Sequence, residues 1–195
     1  MVNLSRFGKE PHYTVANETL QRWGARAPAE QFVVPEDQLT GHPRLRGMRT
    51  PFFYTRNISP SPVSEGVDGL WWPMSRSFKD KKYPLFRASG PLAVSDAWTV
   101  VARAPAGSRT EPVDSPVPRG LQLNDPFVRP GGVEDPPIFA IRELPEAPGR
   151  MGLFWALDVF HFRSGTSWLH NGAMLDRGLA GRRSDFGRLL RNTFR

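Results

Sequence analysis

The sequence predicts an α+β protein of low regular content: a mostly irregular, extended chain with short α-helices, at most a small β element and a helical C-terminal part. Three observations lead to this prediction. Only 39% of the 195 residues are hydrophobic, which is little material for a core. The chain contains 20 prolines and 18 glycines, which interrupt helices and strands. The Pro/Gly/Ser/Asp-rich stretch 105–137 is also longer than an ordinary loop.

Composition divides the chain into three predicted regions. Residues 1–104 form a mixed N-terminal region with short helices and extended segments that aromatic side chains anchor. Residues 105–148 hold ten prolines, and seven acidic residues against four basic ones, which predicts a Pro-rich acidic linker or wrapping arm. Residues 149–195 contain no proline and eight basic residues against three acidic ones, which predicts a basic C-terminal helical region.

Two short helices are predicted in the N-terminal region. The first covers about 14–23, because apolar residues recur from Ala16 to Trp23 at helical spacing. Gly24 follows at the place where a glycine commonly ends a helix. A second short helix is expected to begin at Pro35, since proline is well tolerated in a first helical turn.

Large aromatic side chains interrupt a segment, 43–91, that otherwise has little regular pattern. Each such side chain buries on the order of 150–250 Å², so it is unfavourable to leave it in water. Two interpretations remain open: the segment lies over a partner protein, or it folds as an irregular loop over the protein's own core. The first interpretation makes the aromatic residues of this segment partner-binding, and we add Trp155 from the C-terminal region to them. The predicted partner-binding aromatic residues are then Phe52, Phe53, Tyr54, Trp71, Trp72 and Trp155.

Two segments are candidates for the small β element. Residues 97–103 are rich in β-branched side chains, although Ser95 and Asp96 in front of them would equally suit the start of a helix. Residues 138–143 are the second candidate strand. The stretch between the two candidates has polyproline character instead.

The C-terminal region is predicted to be helical and to bind partners through arginine. Residues 151–162 are apolar on every side, which indicates a buried or interfacial helix, or else a strand. Further helices are expected over 166–175 and over 185–194, the latter with Ser184 as its cap and an apolar stripe bordered by arginines. The predicted partner-binding arginines are Arg182, Arg183, Arg188 and Arg191.

No recognisable motif for catalysis or cofactor binding occurs in the sequence. Without cysteine, the chain has no disulfide framework, thiolate nucleophile or Cys-ligated metal site. Glycine-rich nucleotide-binding motifs and the G-x-S-x-G motif are missing as well. We therefore predict no catalytic, cofactor-binding or metal-binding residues and no small-molecule substrate. The best constellation for an enzyme would consist of Asp158, His161, His170 and Asp176.

The positive charge of the chain is carried mostly by arginine. Arginine outnumbers lysine 22 to 4, and the formal net charge is +7. Guanidinium groups are planar and weakly hydrated, so they suit interfaces with acidic surfaces. We expect contact with protein carboxylates first, then with anionic lipid headgroups, then with RNA.

The sequence predicts an intracellular protein that is not secreted. No apolar run approaches the length of about 18 residues that a transmembrane helix needs. The N-terminus lacks the apolar region of a secretory signal. The expected location is the mitochondrion, in association with the inner membrane but without a transmembrane helix.

The predicted function is that of a non-catalytic structural or accessory subunit, whose extended arms wrap several neighbouring subunits of one large assembly. A mitochondrial respiratory-chain or ATP-synthase complex is the expected assembly, because such machines contain many small, basic, cysteine-poor accessory subunits. Two alternatives remain open. One is a ribosomal or other ribonucleoprotein component that binds RNA through Arg-rich segments. The other is an enzyme that uses the region of His161 and His170.

Overall fold

The computed structural model is built mainly from strands rather than from short helices. It describes residues 12–28, 30–41, 51–73, 89–112, 132–146, 149–154 and 176–195. Strands make up 39% of the described residues and helices 19%. The predicted fold class, a mostly irregular chain with at most a small β element and a helical C-terminal part, is therefore wrong. The described residues form several small antiparallel sheets.

The described helices and strands are short and are separated by turns. The helices are α1 (His12–Gln21) and α2 (Phe186–Thr193), and 3₁₀ turns cover Glu36–Gln38 and Pro62–Ser64. The strands are β1 (Ala25–Arg26), β2 (Glu30–Val33), β3 (Leu39–Gly41), β4 (Pro51–Thr55), β5 (Leu70–Pro73), β6 (Ala93–Val94), β7 (Thr99–Arg103), β8 (Arg109–Pro112), β9 (Pro137–Glu143) and β10 (Arg150–Phe154).

These strands form two larger and two smaller sheets. The larger sheets have the strand orders β3-β4-β5 and β10-β9-β7, whereas the smaller ones pair β1 with β6 and β2 with β8. The chain that leaves β4 continues alongside β7, where Ile58 forms an antiparallel bridge with Ala102. The two larger sheets are therefore joined through this segment.

The aromatic segment with little regular pattern contains one of the larger sheets. β4 pairs with β5 so that Phe53 lies opposite Trp72. Aromatic residues are common in strands because they fit a pleated, partly buried surface. The prolines of this sheet do not interrupt it, since Pro51 and Pro73 stand at strand ends.

Part of the predicted linker or wrapping arm also belongs to the sheets. β8 pairs with β2 over four residue pairs. The N–H of Thr110 donates to the carbonyl of Val133, and the N–H of Asp135 donates to the carbonyl of Ser108. The described parts on either side of the middle of this stretch are thus hydrogen-bonded to each other. The middle itself, 113–131, lies outside the described residues.

Several predicted elements are confirmed. Helix α1 corresponds to the predicted helix 14–23, and Gly24 behind it has the positive φ of +70° that glycine adopts readily. The candidate strands 97–103 and 138–143 correspond to β7 and β9. The predicted last helix, 185–194, corresponds to α2.

Other predicted elements differ from the structure. The helix expected at Pro35 is only a 3₁₀ turn. The described part of the apolar segment 151–162 belongs to β10, so it is a strand and not a helix. The helix candidate 166–175 lies outside the described residues.

The main core draws residues from all three regions of the sequence. Phe32 of β2, Trp72 of β5, Phe139 of β9 and Phe186 of α2 are all buried in it. The burial of such large side chains is the main favourable contribution to folding. A smaller cluster packs Leu20 of α1 among further buried apolar side chains. No helix in the described ranges combines the length and the hydropathy needed to cross a bilayer.

Candidate interaction surface

A tight turn directs the C-terminal segment back towards β5. The N–H of Leu179 donates to the carbonyl of Arg182 at 3.1 Å, and the N–H of Arg182 donates back to the carbonyl of Leu179 at 3.0 Å. The two residues between them, Ala180 and Gly181, have φ values of 49° and 76°. Positive φ at both central residues is the geometry of a type I′ turn. The turn therefore places Arg182 beside β5. Arg182 and Arg183 together begin the segment that leads to α2.

Polar contacts fix the start of α2 to the chain before β5. The carboxylate of Asp185 accepts hydrogen bonds from the N–H groups of Asp68 at 3.0 Å and Gly69 at 3.3 Å. The hydroxyl of Ser184 accepts one from the N–H of Trp71 at 3.2 Å. Ser184 was predicted to cap the helix, but the N-cap is Asp185 and neither side chain makes a capping hydrogen bond. Both side chains instead orient the whole segment on the sheet.

The body of α2 is anchored by its apolar side. Phe186 is fully buried, and its ring meets those of Trp72 and Phe154 edge to face, with ring centroids 5.2 Å and 5.3 Å away. Edge-to-face packing is favourable because the positive ring edge meets the negative ring face. At the far end of α2, the Asn192 amide donates to the carbonyls of Val63 and Glu65, both at 3.0 Å. Helix α2 is therefore fixed along its length.

Most of the aromatic residues predicted to bind partners lie inside the protein. Phe52, Phe53, Trp71 and Trp72 are buried in the main core. This placement corresponds to the second interpretation of the aromatic segment, in which it folds over the protein's own core, although it folds there as strands. Trp155 lies outside the described residues.

Tyr54 is the described aromatic residue of this group that is only half-buried. Its ring packs against the ring of Trp71, with centroids 5.1 Å apart. The Arg182 guanidinium lies over the same Tyr54 ring, 5.4 Å from its centroid. A cation at this distance is attracted by the ring electrons. Tyr54 thus orients Arg182 at the surface rather than offering a free aromatic anchor.

The four arginines that the sequence singled out are all exposed, and they lie on the segment 182–195. We call the following exposed residues the C-terminal arginine surface: Arg182, Arg183, Arg188, Arg191 and Arg195. Two of them are held in place, since Arg182 lies over Tyr54 and the Arg188 guanidinium donates to the carbonyl of Gly66 at 2.6 Å. Among the described residues, the guanidinium groups of Arg183, Arg191 and Arg195 form no ion pair. They are free to bind an external anion or carboxylate.

Positive charge is in excess on this surface. Residues 182–195 contain five arginines and one aspartate. The carboxylate of Asp185 accepts from two backbone N–H groups, and it forms no ion pair with an arginine among the described residues. Phe194, between Arg191 and Arg195, is 79% exposed. An exposed aromatic ring among free arginines combines the two residue types that are enriched at protein interfaces.

The residues considered for an enzyme are mostly outside the part that the structure describes. Asp158, His161 and His170 all lie in the range 155–175, and Asp176 is exposed. Within the described ranges, no group of three His, Asp or Glu side chains is placed to hold a metal ion. The enzyme alternative therefore stays a prediction.

The sequence did not reveal the residues that position the arginine surface. Asp185 and Asn192 act on backbone groups more than 110 positions away. No local pattern marks a side chain that bonds to a distant backbone. Arg188 and Arg191 were predictable, because they border the apolar stripe of an amphipathic helix.

Comparison with known proteins returned no relative of the chain. No protein-family model, no curated protein and no solved structure matches it.

Proposed function

We propose that the protein is a non-catalytic subunit of a multi-protein assembly, and that the C-terminal arginine surface docks it on an acidic patch of a neighbouring subunit. The observation that supports this proposal is a set of free, exposed guanidinium groups on a segment that is rigidly fixed to the core. Because the backbone of this segment is fixed in advance, only the free arginine side chains lose conformational entropy when the surface binds. Guanidinium groups also match carboxylates in bidentate geometry.

An acidic protein suits this surface better than RNA does. Exposed carboxylates lie near the arginines along the chain: Glu65 and Asp68 stand on either side of Gly66, whose carbonyl accepts from Arg188, and Asp176 precedes the segment 182–195. These carboxylates would repel a continuous phosphate backbone, whereas a protein partner can present basic groups to them. The exposed Phe194 would be covered by the same partner.

We propose that this assembly is mitochondrial, as the sequence predicts. The composition of the chain favours an accessory subunit of a mitochondrial respiratory-chain or ATP-synthase complex, and this complex is associated with the inner membrane. The arginine surface would then bind a protein subunit of that complex, and headgroup contact would be secondary.

Charge reversal on the arginine surface is expected to release the partner. We compare the full-length tagged protein with the variant Arg183→Glu/Arg191→Glu, purify each from its native source and quantify every protein recovered in stoichiometric amounts. The partner bound to the double variant should fall by about tenfold, because two attractive charge contacts become repulsive. Cross-links from residues near α2 should reach an acidic segment of that partner.

The matched control is the double variant Arg22→Glu/Arg109→Glu, which reverses two exposed arginines outside this surface. It has the same net charge as the test variant and should retain the partner. Equal loss in both variants would contradict the proposal, as would full recovery of the partner with the test variant. Binding to RNA or to vesicles with anionic lipid is measured as well. If either binding is salt-sensitive and is abolished by Arg183→Glu/Arg191→Glu but not by the control, an RNA or a lipid surface replaces the acidic protein as the proposed partner.

A further inference from the structure

An open groove lies in the chain that connects β4 to β5. Its volume is about 720 Å³. Two charged, one hydroxyl and three apolar residues line it: Arg56, Ile58, Pro60, Ser64, Val67 and Asp68. None of them belongs to the C-terminal arginine surface or to the aromatic residues predicted from the sequence.

The wall formed by residues 56–60 is held by β7. The N–H of Ser59 donates to the carbonyl of Val101 at 2.8 Å, and the N–H of Arg103 donates to the carbonyl of Asn57 at 2.9 Å. Hydrogen bonds of this kind are those of an additional strand at the edge of a sheet. This wall is therefore as fixed as the sheet that contains β7.

The wall formed by residues 63–69 is held by α2, through the side chains of Asp185 and Asn192 described above. The two walls are also joined to each other, because the Ser64 hydroxyl donates to the carbonyl of Ser59 at 2.8 Å. A reciprocal pair of hydrogen bonds between Ser61 and Ser64 closes the turn between them. The groove is thus formed before any ligand binds.

The charged groups of the groove have no partner in the described part of the chain. The guanidinium of Arg56 and the carboxylate of Asp68 pair neither with each other nor with another described side chain. Both residues are exposed, whereas Ile58 and Val67 are half-buried. A ligand complementary to this groove carries a negative group, a positive group and an apolar part.

We propose that the groove binds an extended peptide segment of a partner protein. The segment presents an acidic side chain to Arg56, a basic side chain to Asp68 and an apolar side chain to Ile58 and Val67. A small molecule is a poorer occupant, because small-molecule sites enclose most of their ligand and this groove is open. A phosphate backbone is a poorer occupant because the Asp68 carboxylate repels it.

Binding of short synthetic peptides to the full-length protein tests this proposal. The probes are acetyl- and amide-capped peptides in which Glu and Lys flank two leucines, in both orders, and matched peptides with Gln in place of Glu and Lys. Affinity is measured by titration, and the site by shifts of backbone amide NMR signals. The charged peptides should bind about fivefold more tightly than the Gln peptides, since exposed ion pairs each contribute a small factor. The shifted signals should lie in residues 56–68.

Charge swapping separates groove binding from general electrostatics. The variant Arg56→Glu should bind the Glu/Lys peptides about fivefold more weakly, since one attraction is lost and a similar repulsion is added, and a peptide with two Lys should bind this variant better than it binds the unaltered protein. The control Arg109→Glu, exposed on β8, should bind as the unaltered protein does. Circular dichroism verifies that each variant is folded.

Several results would overturn the proposal. These are an absence of peptide binding, equal affinity of charged and Gln peptides, unchanged affinity of Arg56→Glu, equal loss in Arg109→Glu, and binding of free leucine as tight as that of the peptides. Failure here does not affect the proposed function, because Arg183 and Arg191 do not line the groove. Conversely, loss of the partner in Arg183→Glu/Arg191→Glu does not depend on peptide binding at Arg56.

Discussion

At the scale of single residues, the turn before α2 contains an unfavourable backbone conformation. Ala180 has a φ of 49°, in the left-handed region that costs a residue with a Cβ atom about 1–2 kcal/mol. The next residue, Gly181, has a φ of 76°, and a Cβ atom added there would meet no other atom within 4 Å. The two positions therefore report on backbone conformation alone. Their conformation matters because the turn places Arg182 beside Tyr54.

Exchanging the residues of this turn should change stability in opposite directions. Ala180→Gly should raise the free energy of unfolding by about 0.5–1 kcal/mol, because relief of the left-handed strain exceeds the entropy that glycine loses. Gly181→Ala should lower it by about 1 kcal/mol for the converse reason. Urea unfolding measures both changes. A decrease for Ala180→Gly would show that this turn is not left-handed in solution.

At the scale of elements, the local pattern predicted some parts and not others. Helix α2 and strands β7 and β9 were predictable, because an amphipathic stripe and runs of β-branched residues are local signals. Strands β4 and β5 were missed because their prolines suggested breaks and because their aromatic side chains suit an external surface as well as a core. Strand β8 was missed because its partner, β2, precedes it by almost 80 positions. Such pairing is a property of the tertiary structure, and no short window contains it.

Two phenylalanines of the C-terminal segment test whether α2 closes the core. Phe186→Ala should lower the free energy of unfolding by about 3–5 kcal/mol, because Phe186 is fully buried against Trp72 and Phe154. Phe194→Ala is the matched control and should change it by less than about 0.5 kcal/mol, since Phe194 is 79% exposed. Tryptophan fluorescence during urea unfolding provides the measurement. Equal effects of the two substitutions would mean that α2 does not pack as described.

At the scale of the whole molecule, the described parts of the predicted arms belong to sheets and to the core, while wrapping of neighbouring subunits stays a prediction. The described ends of the Pro-rich stretch form part of the sheets, and the large aromatic side chains of β4 and β5 stabilise the protein itself. Among the described residues that the sequence predicted to bind partners, the arginines of the C-terminal segment are therefore the main candidates. The composition alone could not separate these roles, because a core aromatic residue and an interface aromatic residue are the same residue type.

The central claim is that the chain carries its own core and meets its partner through the C-terminal arginine surface. Hydrogen–deuterium exchange, measured on the isolated protein and on its native complex, tests both halves together. We expect slow exchange in β4, β5 and β9 in both samples, because their backbone hydrogen bonds are buried. We expect residues 180–195 to gain protection only in the complex. Fast exchange in β4 and β5 of the isolated protein, or unchanged exchange across 180–195 in the complex, would contradict the claim.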